Sequence, residues 1–147
     1  MNWVEMVALS LHVALIDYDR VLILKEKTGS RYLPISINPL TANAISLCLH
    51  EQPLPNPPYD FVYSTVQSLG AEVKKVIVHQ LKGEIFQAKA ILTCRNETVE
   101  VLCGPGEAIA IALKAGAPIY VTESILSKAG ISVEEMGRLS DGKSEGW

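Results

Sequence analysis

The stretch at residues 103–121, CGPGEAIAIALKAGAPIYV, decides how the second half of this chain folds. Pro105 is suited to the first position of a helix, and Gly116 is suited to the left-handed residue that ends one. The pattern therefore predicts a helix over 105–115 and a strand over 118–122. Glu107 lies in the first turn of that helix, where a carboxylate either stabilises the helix dipole or takes part in chemistry.

The first half of the chain begins with three short apolar runs, at 4–12, 20–25 and 32–37, which predict strands. Asn38 and Pro39 then favour a helix start, so 40–49 is predicted to be helical. After a proline-rich stretch, a second helix is expected to begin at Asp60 and to end at Gly70. The second half repeats the order, with strands at 73–78, 85–93 and 98–103 before the helix at 105–115, and a short helix at 123–129 after the last strand.

A shift of 66 residues aligns the two halves, since it places Pro39 on Pro105. The same shift places Ala42, Ala44, Ile45 and Leu47 on residues of the same type, which favours an internal duplication, with chance agreement among alanines and aliphatic residues as the alternative. The fold class predicted is α+β, an internally duplicated β-β-β-α-α unit with a mixed, largely antiparallel sheet and flanking helices. Residues 1–136 are expected to form one domain with pseudo-repeats at 4–70 and 71–136, and the polar residues 137–147 a flexible tail.

Composition restricts the class of protein. Of the 147 residues 48% are hydrophobic and 20% are charged, as in globular domains, and the net charge of −3 provides no global attraction to nucleic acid or anionic lipid. The three cysteines lie far apart, which favours a reducing cytoplasm. The first residues lack a basic signal-peptide region, and no apolar run is long enough to span a membrane. We therefore expect a cytoplasmic protein without a membrane partner.

The two predicted helix starts are the candidate phosphate-binding residues. Asn38, Gly104 and Gly106 lie where unpaired backbone N–H groups and the positive end of a helix dipole favour an anion. A plain strand-to-helix turn would require the same residue types, so this alternative stays open. The motif is not a P-loop, because no Gly-Lys-Ser/Thr follows it.

Glu107 and Asp60 are the candidate catalytic carboxylates. If the helix starts converge, the two could bind a divalent cation, Mg²⁺ or Mn²⁺, which would bridge a phosphate and activate water. The alternative is that both serve only their helices, Asp60 as an N-cap and Glu107 as a partner of the dipole.

Two further patterns concern binding partners. Five basic residues of the second half are candidates for phosphate contacts, but no aromatic residues are interleaved for base stacking: Lys74, Lys75, Lys82, Lys89 and Arg95. The helix at 105–115 is apolar nearly all round, which predicts burial by the sheet and by a neighbouring helix or a second subunit. A homo-oligomer is therefore expected.

Four motifs together resemble the bifunctional nuclease family, also known as the DUF151 domain family. They are LPISINPLTANAISLCL, the proline-rich linker into YDFVYSTVQSLGAEVKKVIVHQLKGEIFQAKAIL, GPGEAIAIALKAGAPIYV, and the following ESILSKAGI. The resemblance implies DNase and RNase activity. The family usually has Arg-Pro-Ser-Asp where this chain has Gly104 to Glu107, Gly-Pro-x-Glu-Ala where it has Asn38 to Ala42, and His-Asp where it has Tyr59 and Asp60.

These departures leave two hypotheses. In the first, the protein hydrolyses phosphodiester bonds of DNA and RNA, Glu107 binds a metal or activates water, Asp60 is a second ligand, and Gly104 and Gly106 contact the phosphate. In the second, the chain is a catalytically weakened or inactive binding or regulatory module that keeps the fold.

Overall fold

The computed structural model describes residues 2–14, 20–50, 55 and 57–145. In these ranges the chain forms one mixed sheet and five helices. The strands are β1 (Trp3–Ala14), β2 (Arg20–Glu26), β3 (Tyr32–Ile37), β4 (Ala71–Lys82), β5 (Ile85–Cys94), β6 (Glu97–Cys103), β7 (Ile119–Thr122) and the two-residue β8 (Ser144–Glu145). The helices are α1 (Pro39–Leu49), α2 (Pro57–Ser68), α3 (Pro105–Ala115), α4 (Glu123–Ala129) and α5 (Val133–Lys143).

Seven of these strands lie side by side in the order β3-β2-β1-β7-β4-β5-β6, and β8 pairs with β1. Every pairing is antiparallel except that of β4 with β7. The predicted α+β class and the mixed, largely antiparallel sheet are therefore confirmed. Strand β7 lies between β1 and β4, so it joins the three strands of the first half to the three strands of the second.

The hydrophobic core lies between one face of the sheet and the helices. Val76, Val78 and Val121 are fully buried in this core, together with Ala108 and Ile109 of α3. Ile77, between the two valines of β4, is also fully buried but does not belong to this core cluster. An apolar helix packed against one face of a sheet is what such a core requires. Helix α3 is thus covered within its own chain by the sheet and by α1 and α2.

Helix α2 begins at Pro57, three residues before the expected start, so the prediction of Asp60 as an N-cap was wrong. Proline is tolerated in the first turn because the N–H that it lacks has no intrahelical partner there. Asp60 consequently lies inside the first turn.

Helix α5 covers residues 137–143, which were assigned above to a flexible tail. Its start has a reciprocal capping box, in which Ser132 N donates to Glu135 Oε1 at 3.1 Å and Glu135 N donates to Ser132 Oγ at 3.2 Å. The Ser-x-x-Glu spacing was the signal for this helix. The domain boundary at 136 stays a prediction. No helix in the described part of the chain is both long and apolar enough to cross a membrane.

Candidate functional site

The N-termini of α1 and α3 meet at a small cleft, which we call the cap cleft. It has a volume of about 170 Å³ and is lined by Ser36, Ile37, Asn38, Thr41, Gly104, Pro105, Gly106 and Glu107. The two helices follow the last strands of their halves, β3 and β6, and pack against each other. Four of the five predicted site residues therefore lie together: Asn38, Gly104, Gly106 and Glu107.

The two helix starts have nearly the same backbone conformation but different caps. Asn38 has φ −74° and ψ 158°, and Gly104 has φ −73° and ψ 160°. Asn38 Oδ1 accepts a hydrogen bond from Thr41 N at 2.8 Å, whereas Gly104 has no side chain with which to cap α3. Glu107 Oε1 instead accepts from Gly104 N at 2.9 Å, which is one half of a capping box. The first-turn N–H groups of α3 thus lack a side-chain cap.

Gly106 lies where α3 packs tightly against Thr41 of α1 and Ile37 of β3. A Cβ atom on Gly106 would lie 2.7 Å from Thr41 Cγ2 and 3.1 Å from Ile37 Cγ2, and the first of these distances is shorter than a normal carbon contact. Glycine at this position therefore allows the two N-termini, and the positive ends of both dipoles, to converge.

Tyr59 connects α2 to the cap cleft through a hydrogen bond with Thr41. Its hydroxyl lies 3.1 Å from Thr41 Oγ1, and Thr41 is buried. Sequence reasoning missed this pair, since the two residues are 18 positions apart and belong to different helices. Their types alone carry no signal of contact.

Asp60 does not reach the cap cleft. It forms an ion pair with Lys114, in the last turn of α3. Lys114 is seven residues after Glu107, about 10 Å along the helix at 1.5 Å per residue. The expectation that Asp60 and Glu107 share one site therefore has no support from this geometry, although the role of each carboxylate stays a prediction.

The residues of the cap cleft do not fit a metal site built from protein side chains alone. Among the residues that line the cleft, Glu107 alone has a carboxylate. That carboxylate already accepts a hydrogen bond from Gly104 N. Across the described ranges no three His, Cys, Asp or Glu side chains are grouped as metal ligands. A divalent cation usually requires more oxygen ligands than this, so we derive no step through one.

An apolar groove of about 360 Å³ adjoins the cap cleft, with Glu107 on the border of both. It lies between α2 and the sheet and is lined mainly by Val62, Val66, Val73, Leu92, Val101 and Ile111. Cys103 lies in this groove, and burial together with the charge of Glu107 raises the pKa of its thiol to about 11. The thiol is therefore protonated at neutral pH, so Cys103 is not a ready nucleophile.

These features define an α+β protein with a mixed, mostly antiparallel sheet, in which the N-termini of two helices converge on one cleft. Residues 22–134 match the bifunctional nuclease domain, and the chain belongs to that family. It is also 36% identical over 119 residues to uncharacterized proteins from two strains of Mycobacterium tuberculosis, a match that covers 78% of this chain and 69% of theirs.

Proposed function

We propose that the protein is a nuclease that hydrolyses phosphodiester bonds of DNA and RNA in the cytoplasm, and that it binds the scissile phosphate at the cap cleft. The observation that carries this proposal is the convergence of the N-termini of α1 and α3 on one cleft within the family's domain. Two helix dipoles and open backbone N–H groups favour a bound phosphate without requiring a cluster of basic side chains.

In this mechanism the N-terminus of α3 binds the phosphate, and the carboxylate of Glu107 accepts a proton. The backbone N–H groups of Gly106 and Glu107 lie in the first turn of α3, where no side chain caps them. Glu107 is exposed, and its Oε1 is held by Gly104 N, so the carboxylate has a fixed position beside the phosphate site. Its other oxygen would accept a proton from the water that attacks phosphorus, as a general base does, while the bond from phosphorus to the leaving sugar oxygen breaks and that oxygen takes a proton from solvent.

A second candidate function is a binding or regulatory module with little or no catalysis. This alternative is favoured by the engagement of both candidate carboxylates, Glu107 with the cap of its own helix and Asp60 with Lys114. In this case the cap cleft would bind a phosphate group without hydrolysing its phosphodiester bond.

Both candidates are tested by one comparison of three proteins: wild type, Glu107→Gln, and Glu97→Gln as a control. Glu97 is an exposed residue of β6 that does not line the cap cleft. Each protein is incubated with single- and double-stranded DNA and RNA, with Mg²⁺, with Mn²⁺ and with EDTA, and cleavage and binding are both measured. We expect Glu107→Gln to lower the cleavage rate by about 10²-fold or more, the range for loss of a general base, while Glu97→Gln leaves it unchanged.

Equal cleavage by wild type and Glu107→Gln would contradict the proposed role of this carboxylate. Binding by all three proteins without cleavage would support the binding module. Thermal melts with and without the two cations report metal binding separately, since a cation bound only to the folded state raises the melting temperature. A rise that disappears in Glu107→Gln would assign the cation to the cap cleft.

We also infer that the two halves of the chain arose by internal duplication. The strand order is symmetric about β7, with β3-β2-β1 on one side and β4-β5-β6 on the other. Pro39 and Pro105 occupy the first turn of helices with nearly the same cap conformation. In this interpretation the cap cleft is the meeting point of two copies of one helix start, which have since acquired different caps.

A further inference from the structure

The two edges of the sheet differ in how they are protected. On the β3 edge, Pro34 lacks an N–H, and Tyr32 exchanges backbone hydrogen bonds of 2.9 and 2.8 Å with Ile131. On the β6 edge, the register with β5 is regular from Cys94–Glu97 to Ala88–Cys103, without a bulge. Strand β6 has no proline and no lysine, two of the usual means of blocking an edge, and its charged residues are Glu97 and Glu100. The β6 edge is therefore suited to pairing with another strand.

The core is incomplete at this edge. Val99 and Val101 face the helix side of the sheet, since they pair with Leu92 and Ala90, yet they are 42% and 43% exposed. Helix α2 lies over the sheet nearby, and its Phe61 and Val62 are 73% and 45% exposed. Val62 and Val101 border the apolar groove from its two sides. Val62 of α2 and Val101 of β6 thus lie on one partly exposed apolar groove at the rim of the domain, and Phe61 and Val99 are exposed apolar residues of the same two elements.

We propose that this surface is the interface with a second copy of the same chain. The two β6 strands pair antiparallel about a twofold axis at Val101, so that the sheet continues from one protomer into the other. Val101 then lies opposite its symmetry mate, and the exposed parts of α2 from both copies cover the strand pair on the helix side. An isologous interface of this kind closes after two copies.

The pattern of charges is compatible with this register and disfavours the two registers centred on Glu100 and Val99. Centred on Val101, the pairing places Glu100 opposite Leu102 of the other copy and Val99 opposite Cys103. Centred on Glu100, it would place two carboxylates directly opposite each other, which destabilises an antiparallel pair. Centred on Val99, it would place Glu97 opposite Val101 on the apolar side. The register centred on Val101 keeps apolar residues together and like charges apart.

This surface differs from the one that composition suggested for a homo-oligomer. The apolar run of α3 is buried by its own chain, with Ala108, Ile109 and Ala112 fully covered. These three residues therefore offer no surface to a partner. The interface proposed here depends on β6 and α2 and is independent of the proposed nuclease activity.

The proposal is tested by measuring the mass of the full-length chain by size-exclusion chromatography with light scattering at tens of micromolar. We expect twice 16.0 kDa, about 32 kDa, for wild type. Val101→Lys should give a folded chain of 16.0 kDa, because it places a charge in the middle of the strand pair. Thr98→Lys is the matched control: it also adds a lysine to β6, on the opposite face, and should keep the dimer mass.

A cross-linking experiment gives a second readout that does not depend on a disruptive variant. In a background with Cys48, Cys94 and Cys103 changed to serine, Val101→Cys should form a disulfide-linked dimer on mild oxidation, because directly opposite residues of an antiparallel pair are 4.5–5.5 Å apart. Glu97→Cys in the same background should not. A monomeric wild type, or a dimer that withstands Val101→Lys and does not cross-link through Val101→Cys, would overturn the proposal. A monomer that binds an unrelated peptide strand would assign the edge to another partner.

Discussion

At the scale of single residues, two glycines of the cap cleft have different roles. Gly104 ends a strand with extended backbone angles that any residue adopts, and its missing side chain leaves the first turn of α3 without a cap. Gly106 is required for packing, because Thr41 and Ile37 occupy the space where its Cβ would lie. The same residue type thus opens the site at one position and brings the helices together at the other.

This difference predicts unequal costs for the two alanine substitutions. Gly106→Ala should lower the free energy of unfolding by about 1–3 kcal/mol, the usual cost of overpacking. Gly104→Ala should cost less than about 1 kcal/mol, since the nearest atom, Glu107 Oε1 at 3.1 Å, belongs to a flexible side chain. Chemical denaturation of both variants measures the two costs. A larger loss for Gly104→Ala would contradict the described contact between the helices.

At the scale of elements, Arg31 links the hairpin of β2 and β3 to helix α4. Its guanidinium donates to Glu26 at 2.9 and 3.1 Å and to Glu123 at 2.8 and 2.9 Å. The hydrogen bond from Arg31 lowers the pKa of Glu26, and hydrogen bonds from Arg31 and then Ser127 lower the pKa of Glu123 to about 2. Arg31 therefore donates two hydrogen bonds to each of two carboxylates from different parts of the chain.

The pKa directions predict how this link depends on pH. A carboxyl group whose pKa is lower in the folded state stabilises the fold above its unfolded pKa of about 4.3, and this contribution is lost as the pH falls towards about 2. Arg31→Met should thus lower the melting temperature at pH 7, with the difference from wild type shrinking between pH 4 and 2.

Lys27→Met is the control for Arg31→Met, because Lys27 forms an exposed ion pair with Glu5 at 3.2 Å. An exposed pair contributes only about 0–1 kcal/mol, so the melting temperature should change little. An equal effect of the two substitutions would show that the link through Arg31 contributes no more than an ordinary surface pair.

At the scale of the whole molecule, every residue that the structure describes as part of the core cluster precedes α5. The buried residues of the core cluster extend from Met6 to Leu126, and Ala129 packs against them. Helix α5 follows this region, and β8 adds two residues beside Val13 and Ala14 of β1. The family's domain likewise ends at residue 134 in this chain.

A chain that ends at residue 136 should therefore keep its cooperative fold. It loses most of α5 and all of β8, but none of the residues in the core cluster. We expect one sharp thermal transition and an unchanged near-ultraviolet circular dichroism spectrum. A broad transition with dye binding to exposed apolar surface would show that the core requires α5, which would place the domain boundary after 136.

Much of the fold could be predicted because local signals determine it. Pro105 and Gly116 mark the ends of α3, and short runs of apolar residues mark β2, β3 and β5, so these elements were predicted to within about a residue. Such signals act over a few residues, through proline and glycine dihedrals and through the periods of helix and strand. The start of α2 was predicted wrongly, because prolines in a first turn resemble prolines in a loop.

The sequence by itself determined the α+β class, the family's motifs, and the helix starts at Asn38 and Gly104. Only the tertiary structure decided that these starts share one cleft with Glu107, that Asp60 pairs with Lys114 instead, and that β6 is an edge while β7 lies in the centre. The reason is that contacts between residues distant in the chain depend on strand order and helix packing. Neither strand order nor helix packing can be read from the local pattern of residues.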